Sequence, residues 1–342
     1  MKAELCANGN FLERSRQTPT DFSNPCSFSL ANGVQVDITA PGIISFTPAK
    51  IDDDSKNIVL SCGVHGNETA PIELCDNWVS AILTEQMIPV HRVLFLFGNL
   101  PSMDIAQRFV KENMNRLFSG AHSSGEGLVN EERQRARQLE QAITDFFADA
   151  GSHRFHYDLH TAIRESKNEK FAVYPYLHGA TRSEDQIAFL SACGVKTILL
   201  SQSPTTTFSY YSSHIHNAHA FTVELGKVKP FGQNDMSRFE AARQTFTRLI
   251  TEAQLELEPI GKDVEIFTVN QVINKQAEDF TLHFADDTPN FTGFSKGTLL
   301  AQESGASYYA EYEGEAVVFP NANVAIGQRA LLTVIPTTLD SE

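Results

Sequence analysis

The sequence lacks the features of a secreted or membrane-spanning protein. Its 342 residues contain only five cysteines, an odd number without a Cys-x-x-Cys pair, so neither a disulfide framework nor a cysteine-rich metal knuckle is indicated. No apolar run approaches the ~18 residues that a membrane span needs, and the first residues, MKAELCANGNFLERS, contain no apolar stretch typical of a signal peptide. We therefore expect a cytoplasmic protein.

Positive charge is also scarce, because 27 lysines and arginines face 42 acidic residues and give a formal charge of −15. Proteins that bind nucleic acids usually carry a basic face, so no nucleic acid partner is expected, and no membrane partner either. Hydrophobic residues make up 42% of the chain, which is typical of a globular protein. The length suggests one large domain plus a smaller one. A homo-oligomer is left open as an alternative to a monomer.

The segment Asn57–Glu73, NIVLSCGVHGNETAPIE, predicts a buried strand, a tight turn and a helix. The turn is indicated by Gly63 and Gly66, and the helix start by Thr69 and Pro71. This arrangement places the turn side chains at the carboxyl edge of a sheet. Open α/β sheets bind ligands along that edge.

His65 and Glu68 in this turn are close enough in sequence to share one metal ion, although His-x-x-Glu is as often a solvated turn. A second apolar strand, FHYDLHTA, ends at the same type of edge with His160. Three protein ligands with a fourth position left to water are typical of a catalytic zinc, and we expect one Zn²⁺ per chain. Asp158 either orients an imidazole or points away from His160.

Further apolar runs alternate with helical segments along the chain. The strand runs are RVLFLF, FAVYPY, KTILLS and AFTVEL, and helices are expected over 129–149, 183–192 and 235–253. This order predicts an α/β fold, with a mostly parallel mixed sheet covered by helices on both faces. From about Leu257 the pattern changes to short β-rich runs. We therefore predict a zinc hydrolase α/β domain over residues 1–255 and a smaller C-terminal β domain over 256–342.

A zinc hydrolase needs a group that takes a proton from water and passes it to the leaving nitrogen. Glu224 is the candidate because it ends the strand in FTVELG, just before Gly226. It could equally cap a turn or pair with Lys227.

Arg108, Asn115 and Arg116 are candidates for substrate recognition, since a guanidinium can bind a carboxylate or stabilise an oxyanion. A single arginine is more often a surface charge. Several cations nevertheless cluster near the proposed metal segments, which indicates a small anionic substrate with several carboxylates: Arg108, Lys111, Arg116, Arg164, Lys167, Lys170, Lys227 and Lys229. A loop with Ser209, Tyr210 and Tyr211 could line the cleft or only pack. The histidines His214, His216 and His219 are interpreted as surface or packing residues.

With these residues in hand, the chain resembles the succinylglutamate desuccinylase and aspartoacylase family of zinc hydrolases, which is related to the zinc carboxypeptidases. The resemblance covers most of the length and rests on four motifs: HGNETAPIE, ENMNRLF with Arg108 seven residues ahead of Asn115, DLHTAIR and FTVELG. It implies a zinc carboxypeptidase-like α/β/α domain followed by a C-terminal β domain. It also implies zinc held by His65, Glu68 and His160.

The same resemblance implies roles for four further residues. Glu224 matches the general base, Asn115 and Arg116 match residues that bind a substrate carboxylate, and Arg108 matches the residue that helps polarise the scissile carbonyl. The implied reaction is hydrolysis of N-succinyl-L-glutamate to succinate and L-glutamate, the last step of the succinyl route of arginine catabolism.

Two positions concern substrate choice within the family. Aspartoacylases have an arginine ten residues before the base, where this chain has His214, and Tyr309 is offered as the candidate for their C-terminal active-site tyrosine. The alternatives keep the metal and change the substrate to N-acetylaspartate, another N-acyl acidic amino acid or a C-terminal peptide residue. A non-catalytic metal-binding or carboxylate-sensing protein and a purely structural metal are the remaining hypotheses.

Overall fold

The computed structural model describes residues 2–339, which form one mixed sheet of thirteen strands with helices on both faces and a separate sheet of three strands. The strands are β1 (Cys26–Ser29), β2 (Gln35–Ala40), β3 (Ile43–Thr47), β4 (Asn57–Cys62), β5 (Arg92–Phe97), β6 (Arg154–Ala162), β7 (Phe171–Tyr174), β8 (Thr197–Leu200), β9 (His219–Lys227), β10 (Glu265–Asn274), β11 (Thr281–Leu282), β12 (Thr292–Phe294), β13 (Leu299–Glu303), β14 (Ala306–Tyr309), β15 (Glu315–Val318) and β16 (Arg329–Pro336). The helices are α1 (Lys2–Asn8), α2 (Phe11–Gln17), α3 (Thr69–Leu83), α4 (Leu100–Asp104), α5 (Glu131–Ala148), α6 (Glu184–Ala192), α7 (Phe208–His216) and α8 (Glu240–Thr251).

The large sheet has the strand order β1-β2-β3-β5-β4-β6-β9-β7-β8-β10-β16-β15-β12. Its middle is mostly parallel: β4 pairs in parallel with β5 and β6, β6 with β9, and β8 with β7 and β10. Strand β7 runs antiparallel to β9, and the strands at both ends of the sheet are antiparallel. The predicted mixed, mostly parallel sheet is therefore confirmed.

Strand β4 lies between two hydrophobic cores, which explains why its sequence is apolar almost throughout. Ile58 and Leu60 pack in the core on the α3 side, together with Trp78. Val59 points to the opposite face and packs with Leu139 of α5. A strand covered by helices on both faces loses the apolar–polar alternation of a half-exposed strand.

The turn after β4 is fixed by close backbone contact. A Cβ atom on Gly66 would lie 2.3 Å from the backbone nitrogen of Met103 in α4, so no other residue fits there without displacing that helix. Gly63 has a φ of +63°, a left-handed conformation that costs glycine little. The side chains of this turn are thus held at the carboxyl edge of the sheet.

The chain beyond Leu257 is β-rich, as predicted, but it continues the large sheet. Strand β10 pairs in parallel with β8, and β16, β15 and β12 follow. Strands β11, β13 and β14 form the separate small sheet. The division into residues 1–255 and 256–342 stays a prediction. Among residues 2–339 no helix combines the length and the apolar character needed to cross a membrane.

Two helical regions were not predicted from the sequence. The N-terminal helices α1 and α2 bury Leu5 and Phe11 in the core beside α3. The stretch expected as a loop with Ser209–Tyr211 is helix α7, where all three side chains are buried. His214, at the exposed end of α7, stacks on the Tyr210 ring at 5.3 Å, which agrees with its interpretation as a packing residue.

Candidate active site

Three buried side chains meet at the carboxyl edge of the sheet. His65 comes from the turn after β4, Glu68 is the residue before α3, and His160 lies near the end of β6. Because β4 and β6 are parallel neighbours, their carboxyl ends lie side by side. One nitrogen or oxygen atom from each of the three residues lies within 4.8 Å of the other two.

Each imidazole turns the same nitrogen toward Glu68. The Nδ1 atom of His65 lies 2.9 Å from Oε1 of Glu68, and the Nδ1 atom of His160 lies 2.8 Å from Oε2. The other nitrogen of each ring has its own oxygen partner: Asn113 Oδ1 at 2.9 Å from His65 Nε2, and Asp158 Oδ2 at 2.8 Å from His160 Nε2. This arrangement fixes both rings with Nδ1 directed at the shared space.

The donor set fits a divalent metal ion. Two imidazoles and one carboxylate are ligands that zinc accepts in catalytic sites. His65 Nδ1 is sealed from solvent and, despite its short distance to Glu68, does not have the geometry of a hydrogen bond to it. Burial, aided by the charge of Arg108, lowers the pKa of His65 to about 4, so this ring is neutral at pH 7 and keeps a lone pair for a metal.

Asp158 contacts His160 and belongs to a buried chain of hydrogen bonds behind the metal site. Ser61 Oγ donates to Asp158 Oδ1 at 2.5 Å, and His156 Nε2 lies 2.7 Å from the same hydroxyl. His156 Nδ1 is in turn 2.7 Å from the hydroxyl of Ser212 in α7. These four residues are fully buried. Alternate residues of β6 share one face, so His156, Asp158 and His160 all point to the same side.

Glu224 lies beside the three candidate metal ligands His65, Glu68 and His160, which are called the metal set below. Strand β9 is parallel to β6, and Glu224 is the register partner of His160. Its Oε2 atom is sealed from solvent and has no hydrogen-bond partner among residues 2–339. Burial, followed by the negative charge of Glu68, raises the pKa of Glu224 to about 7. A carboxyl group with that pKa can both accept and release a proton near neutral pH.

Arg108 reaches the metal set from the loop between α4 and α5. Its guanidinium donates to Glu68 Oε1 at 2.6 Å. The loop is ordered by Glu132, whose carboxylate accepts hydrogen bonds from the backbone N–H groups of Val110, Lys111 and Glu112. Glu132 was not predicted as a site residue, although it lies in the helix expected over 129–149.

Asn115 and Arg116 follow in the same loop. Asn115 is buried, and its Oδ1 accepts a hydrogen bond from the backbone N–H of Phe208 at 3.3 Å, which ties the loop to the start of α7. Arg116 donates to the backbone carbonyl of Asn115 at 3.0 Å. Burial, and then the charge of Arg108, lowers the pKa of Arg116 to about 10, so the group stays charged at pH 7. Asn113, which holds His65, was missed although it lies in the motif ENMNRLF.

Several cations of the predicted basic cluster have partners away from the metal set. Arg164 donates to the backbone carbonyls of Thr288 and Pro320 and so ties the loop after β6 to the C-terminal strands. Lys227 pairs with Glu165. Arg108 and Arg116 have side-chain contacts at the site itself, since Arg108 donates to Glu68 and Arg116 to the backbone carbonyl of Asn115.

Tyr309 lies on β14 of the small sheet with 48% of its surface exposed. Its described hydrogen bond is between its backbone carbonyl and the side chain of Gln271. Its role at the substrate stays a prediction.

An open α/β sheet that carries a buried His-Glu-His set and an unpaired buried carboxylate at its carboxyl edge is typical of metal-dependent hydrolases. The family model described as "Succinylglutamate desuccinylase/Aspartoacylase catalytic domain" matches residues 54–250, and that of the "AstE/AspA barrel-sandwich hybrid domain" matches residues 262–337. The chain belongs to the succinylglutamate desuccinylase/aspartoacylase family.

Relatives of known name match over nearly the whole length. The chain is 60% identical to the succinylglutamate desuccinylase of Pseudoalteromonas atlantica, across 99% of this chain and 97% of that protein. It is 51% identical to that of Shewanella frigidimarina, across 100% and 99%. The crystal structure of succinylglutamate desuccinylase from Vibrio cholerae superposes with a TM-score of 0.87 at 33% identity, covering 95% and 94% of the two chains. Murine aminoacylase 3, at 16% identity and a TM-score of 0.55 over 84% and 97%, shares the fold.

Proposed function

We propose that this protein hydrolyses N-succinyl-L-glutamate to succinate and L-glutamate, the last step of the succinyl route of arginine catabolism. The observation that carries the proposal is the meeting of His65, Glu68 and His160 beside an unpaired Glu224. The names of the two relatives at 60% and 51% identity support the choice of substrate. Five free thiols suit a reducing compartment, so we place the enzyme in the cytoplasm.

His65, Glu68 and His160 would hold one zinc ion per chain, through the two Nδ1 atoms and the carboxylate. Zinc is favoured because this mixed set of two imidazoles and one carboxylate recurs in zinc hydrolases that leave one position for water or substrate. When bound, the ion supplies Lewis-acid chemistry: it makes water more acidic and polarises the carbonyl group under attack.

Glu224 acts as the base and then the acid. Its unpaired carboxylate takes a proton from the attacking water while the water oxygen forms a bond to the succinyl amide carbon. The same carboxyl group then passes that proton to the amide nitrogen as the carbon–nitrogen bond breaks. The products are the free amino group of glutamate and the second carboxylate of succinate.

Arg108 and the pair Asn115–Arg116 bind the substrate. Arg108, already within hydrogen-bond distance of Glu68, is placed to stabilise the negative charge that develops on the carbonyl oxygen. Arg116 binds a substrate carboxylate, and Asn115 assists through its amide nitrogen because its amide oxygen is occupied by the N–H of Phe208. The substrate is thus a small molecule recognised through its negative charges.

Related substrates are the second candidate, because the family also includes aspartoacylases. Zinc-loaded protein should be assayed side by side with N-succinyl-L-glutamate, N-acetyl-L-aspartate and a peptide ending in glutamate. We expect efficient succinate release from the first and kcat/KM lower by at least about 100-fold for the other two, since a site built for a charged group rejects analogues that leave it unpaired. Absence of succinate release would overturn the proposal.

A further inference from the structure

Arg329 lies near the active site, and its buried Nε–H has no hydrogen-bond acceptor among the described residues. It is the first residue of β16, and its side chain is half-buried. Its Nε–H is sealed from solvent and has no hydrogen-bond acceptor among residues 2–339. A guanidinium carries five N–H donors, and leaving a buried one unpaired is costly. An arginine with an unpaired buried N–H is typical of an anion-binding site, whereas an arginine in a structural ion pair has a carboxylate partner.

A stack of aromatic rings connects Arg329 to the catalytic edge of the sheet. The Arg329 guanidinium lies over the ring of Phe319, 5.4 Å from its centre. The Phe319 ring packs on that of Phe171 at 5.5 Å between ring centres. Phe171 is the register partner of Glu224 in the antiparallel pair β7 and β9. Arg329 is therefore two ring contacts away from the strand position that faces the proposed base.

Phe319 is held in an unusual backbone conformation. Its φ is +54°, in the left-handed region that bulky residues rarely adopt. Its backbone N–H donates to Asn290 Oδ1 at 2.8 Å, which fixes the turn. Strain of this kind persists where the surrounding structure enforces it, and it is common at binding sites. Here it presents the ring on which the guanidinium rests.

Three guanidinium groups share this region of the molecule. Burial, followed by the positive charges of Arg116 and Arg108, lowers the pKa of Arg329 to about 9. Arg108 pairs with Glu68, whereas Arg116 and Arg329 have no carboxylate partner among the described residues. Mutual repulsion of this kind is relieved when an anion binds between the groups.

We propose that Arg329 binds one of the substrate carboxylates, and that this is the contribution of the C-terminal β strands to the active site. The inference rests on the proposed function, since N-succinyl-L-glutamate carries three carboxylates and Arg116 accounts for one. Arg329 is thereby a residue that determines specificity for a multiply charged substrate.

The test compares zinc-loaded wild type with Arg329→Gln on four substrates. These are N-succinyl-L-glutamate and three analogues that each lack one carboxylate: N-butyryl-L-glutamate, N-succinyl-L-norvaline and N-succinyl-4-aminobutyrate. We expect kcat/KM for N-succinyl-L-glutamate to fall about 10- to 100-fold, the usual effect of losing a hydrogen bond between charged groups. For the one analogue that lacks the bound carboxylate, the substitution should change kcat/KM by less than about 3-fold. An equal loss on all four substrates, or no loss, would overturn the inference.

Arg92→Gln is the matched control. The Arg92 guanidinium also lies over an aromatic ring, 4.7 Å from the centre of Phe146. It differs in position, because Arg92 begins β5 and therefore lies at the opposite edge of the sheet. Arg92→Gln should leave the four kcat/KM values unchanged. The midpoint of thermal unfolding is a second readout, because a structural role of Arg329 predicts a lower midpoint for Arg329→Gln and a binding role does not. Removing an unpaired charge should leave the unfolding midpoint of Arg329→Gln at or above that of wild type. A lower midpoint together with a uniform kinetic loss would assign Arg329 to the scaffold.

Equilibrium binding separates this inference from the proposed function. Succinate and L-glutamate are titrated by calorimetry into zinc-loaded wild type and Arg329→Gln. If the wild type hydrolyses none of the four substrates, the proposed function fails, and binding alone decides the role of Arg329. At least 10-fold weaker binding of one anion to the variant supports it, whereas equal affinities for both anions contradict it.

Discussion

Glu224 and His160 lie directly opposite each other in the register of two parallel strands, β9 and β6. Register partners on neighbouring strands point to the same side of a sheet, so the carboxylate lies next to the metal set. The backbone hydrogen bonds of the sheet therefore set the distance between the proposed base and the metal ligands. This relationship explains how a base 64 positions along the chain from His160 belongs to the same site.

Substitution of the base should separate catalysis from metal binding. We expect Glu224→Gln to lower kcat about 10²- to 10⁴-fold, the usual contribution of a general acid–base group. Zinc content should not change, because Glu224 is not one of the three ligands. Steady-state kinetics and metal analysis of the same preparation provide the check.

The control for this prediction is Glu140→Gln. Glu140 is also buried, but it contacts His122 on the α5 side of the molecule. The kcat of Glu140→Gln should equal that of the wild type. If Glu224→Gln turns over substrate at the wild-type rate, Glu224 is not the base.

The hydrogen bond between Asp158 and His160 should influence metal affinity. Asp158→Asn replaces the carboxylate that fixes the His160 ring, and we expect zinc affinity to fall about 10- to 100-fold. Ser61→Ala removes the outer hydrogen bond of Asp158 and should have a smaller effect. Competition with a chelator of known affinity measures both. Wild-type affinity in Asp158→Asn would show that the ring needs no carboxylate partner.

Replacing Asp76, which lies outside the active site, should stabilise the protein in a pH-dependent way. Burial raises its pKa from 3.8 to about 6, and its Oδ1 atom has no hydrogen-bond partner among the described residues. The folded state thus binds the proton more tightly than the unfolded state, and ionisation of Asp76 destabilises the fold as pH rises above about 4. We expect Asp76→Asn to raise the free energy of unfolding by about 3 kcal/mol at pH 8, with no gain below the unfolded pKa.

Urea unfolding across this pH range tests the effect of Asp76→Asn. Asp145→Asn, on the exposed face of α5, should change stability little at any pH. A gain from Asp76→Asn that does not vary between pH 4 and pH 8 would exclude titration of Asp76 as its cause.

The sequence predicted those parts of the site whose signals are local. The run Asn57–Cys62 is mostly apolar and is followed by Gly63 and Gly66, and Thr69 and Pro71 mark a helix start, so the turn with His65 could be placed at a sheet edge. Metal ligands follow from residue chemistry and from the ends of strands. These features need no knowledge of distant contacts.

Other parts depend on contacts between distant segments. Helix α7 contains serine, aromatic and β-branched residues with low helix propensity, and it is held by the stacking of Phe208 on Phe118 at 4.1 Å. Arg329 lies in a β-rich run with no motif, and its place near Arg116 follows only from the pairing of β10 with β8 and β16. Asn113 could have been found, because it lies two residues before the predicted Asn115.

Zinc titration of chelator-treated protein tests the central claim most directly. Wild type should bind one zinc per chain. His160→Ala loses a ligand, so its zinc affinity should fall by more than ~100-fold, the largest effect expected for loss of an outer hydrogen bond alone. Far-ultraviolet circular dichroism should show that the variant keeps its fold. Zinc bound to His160→Ala with unchanged stoichiometry and affinity would contradict the account.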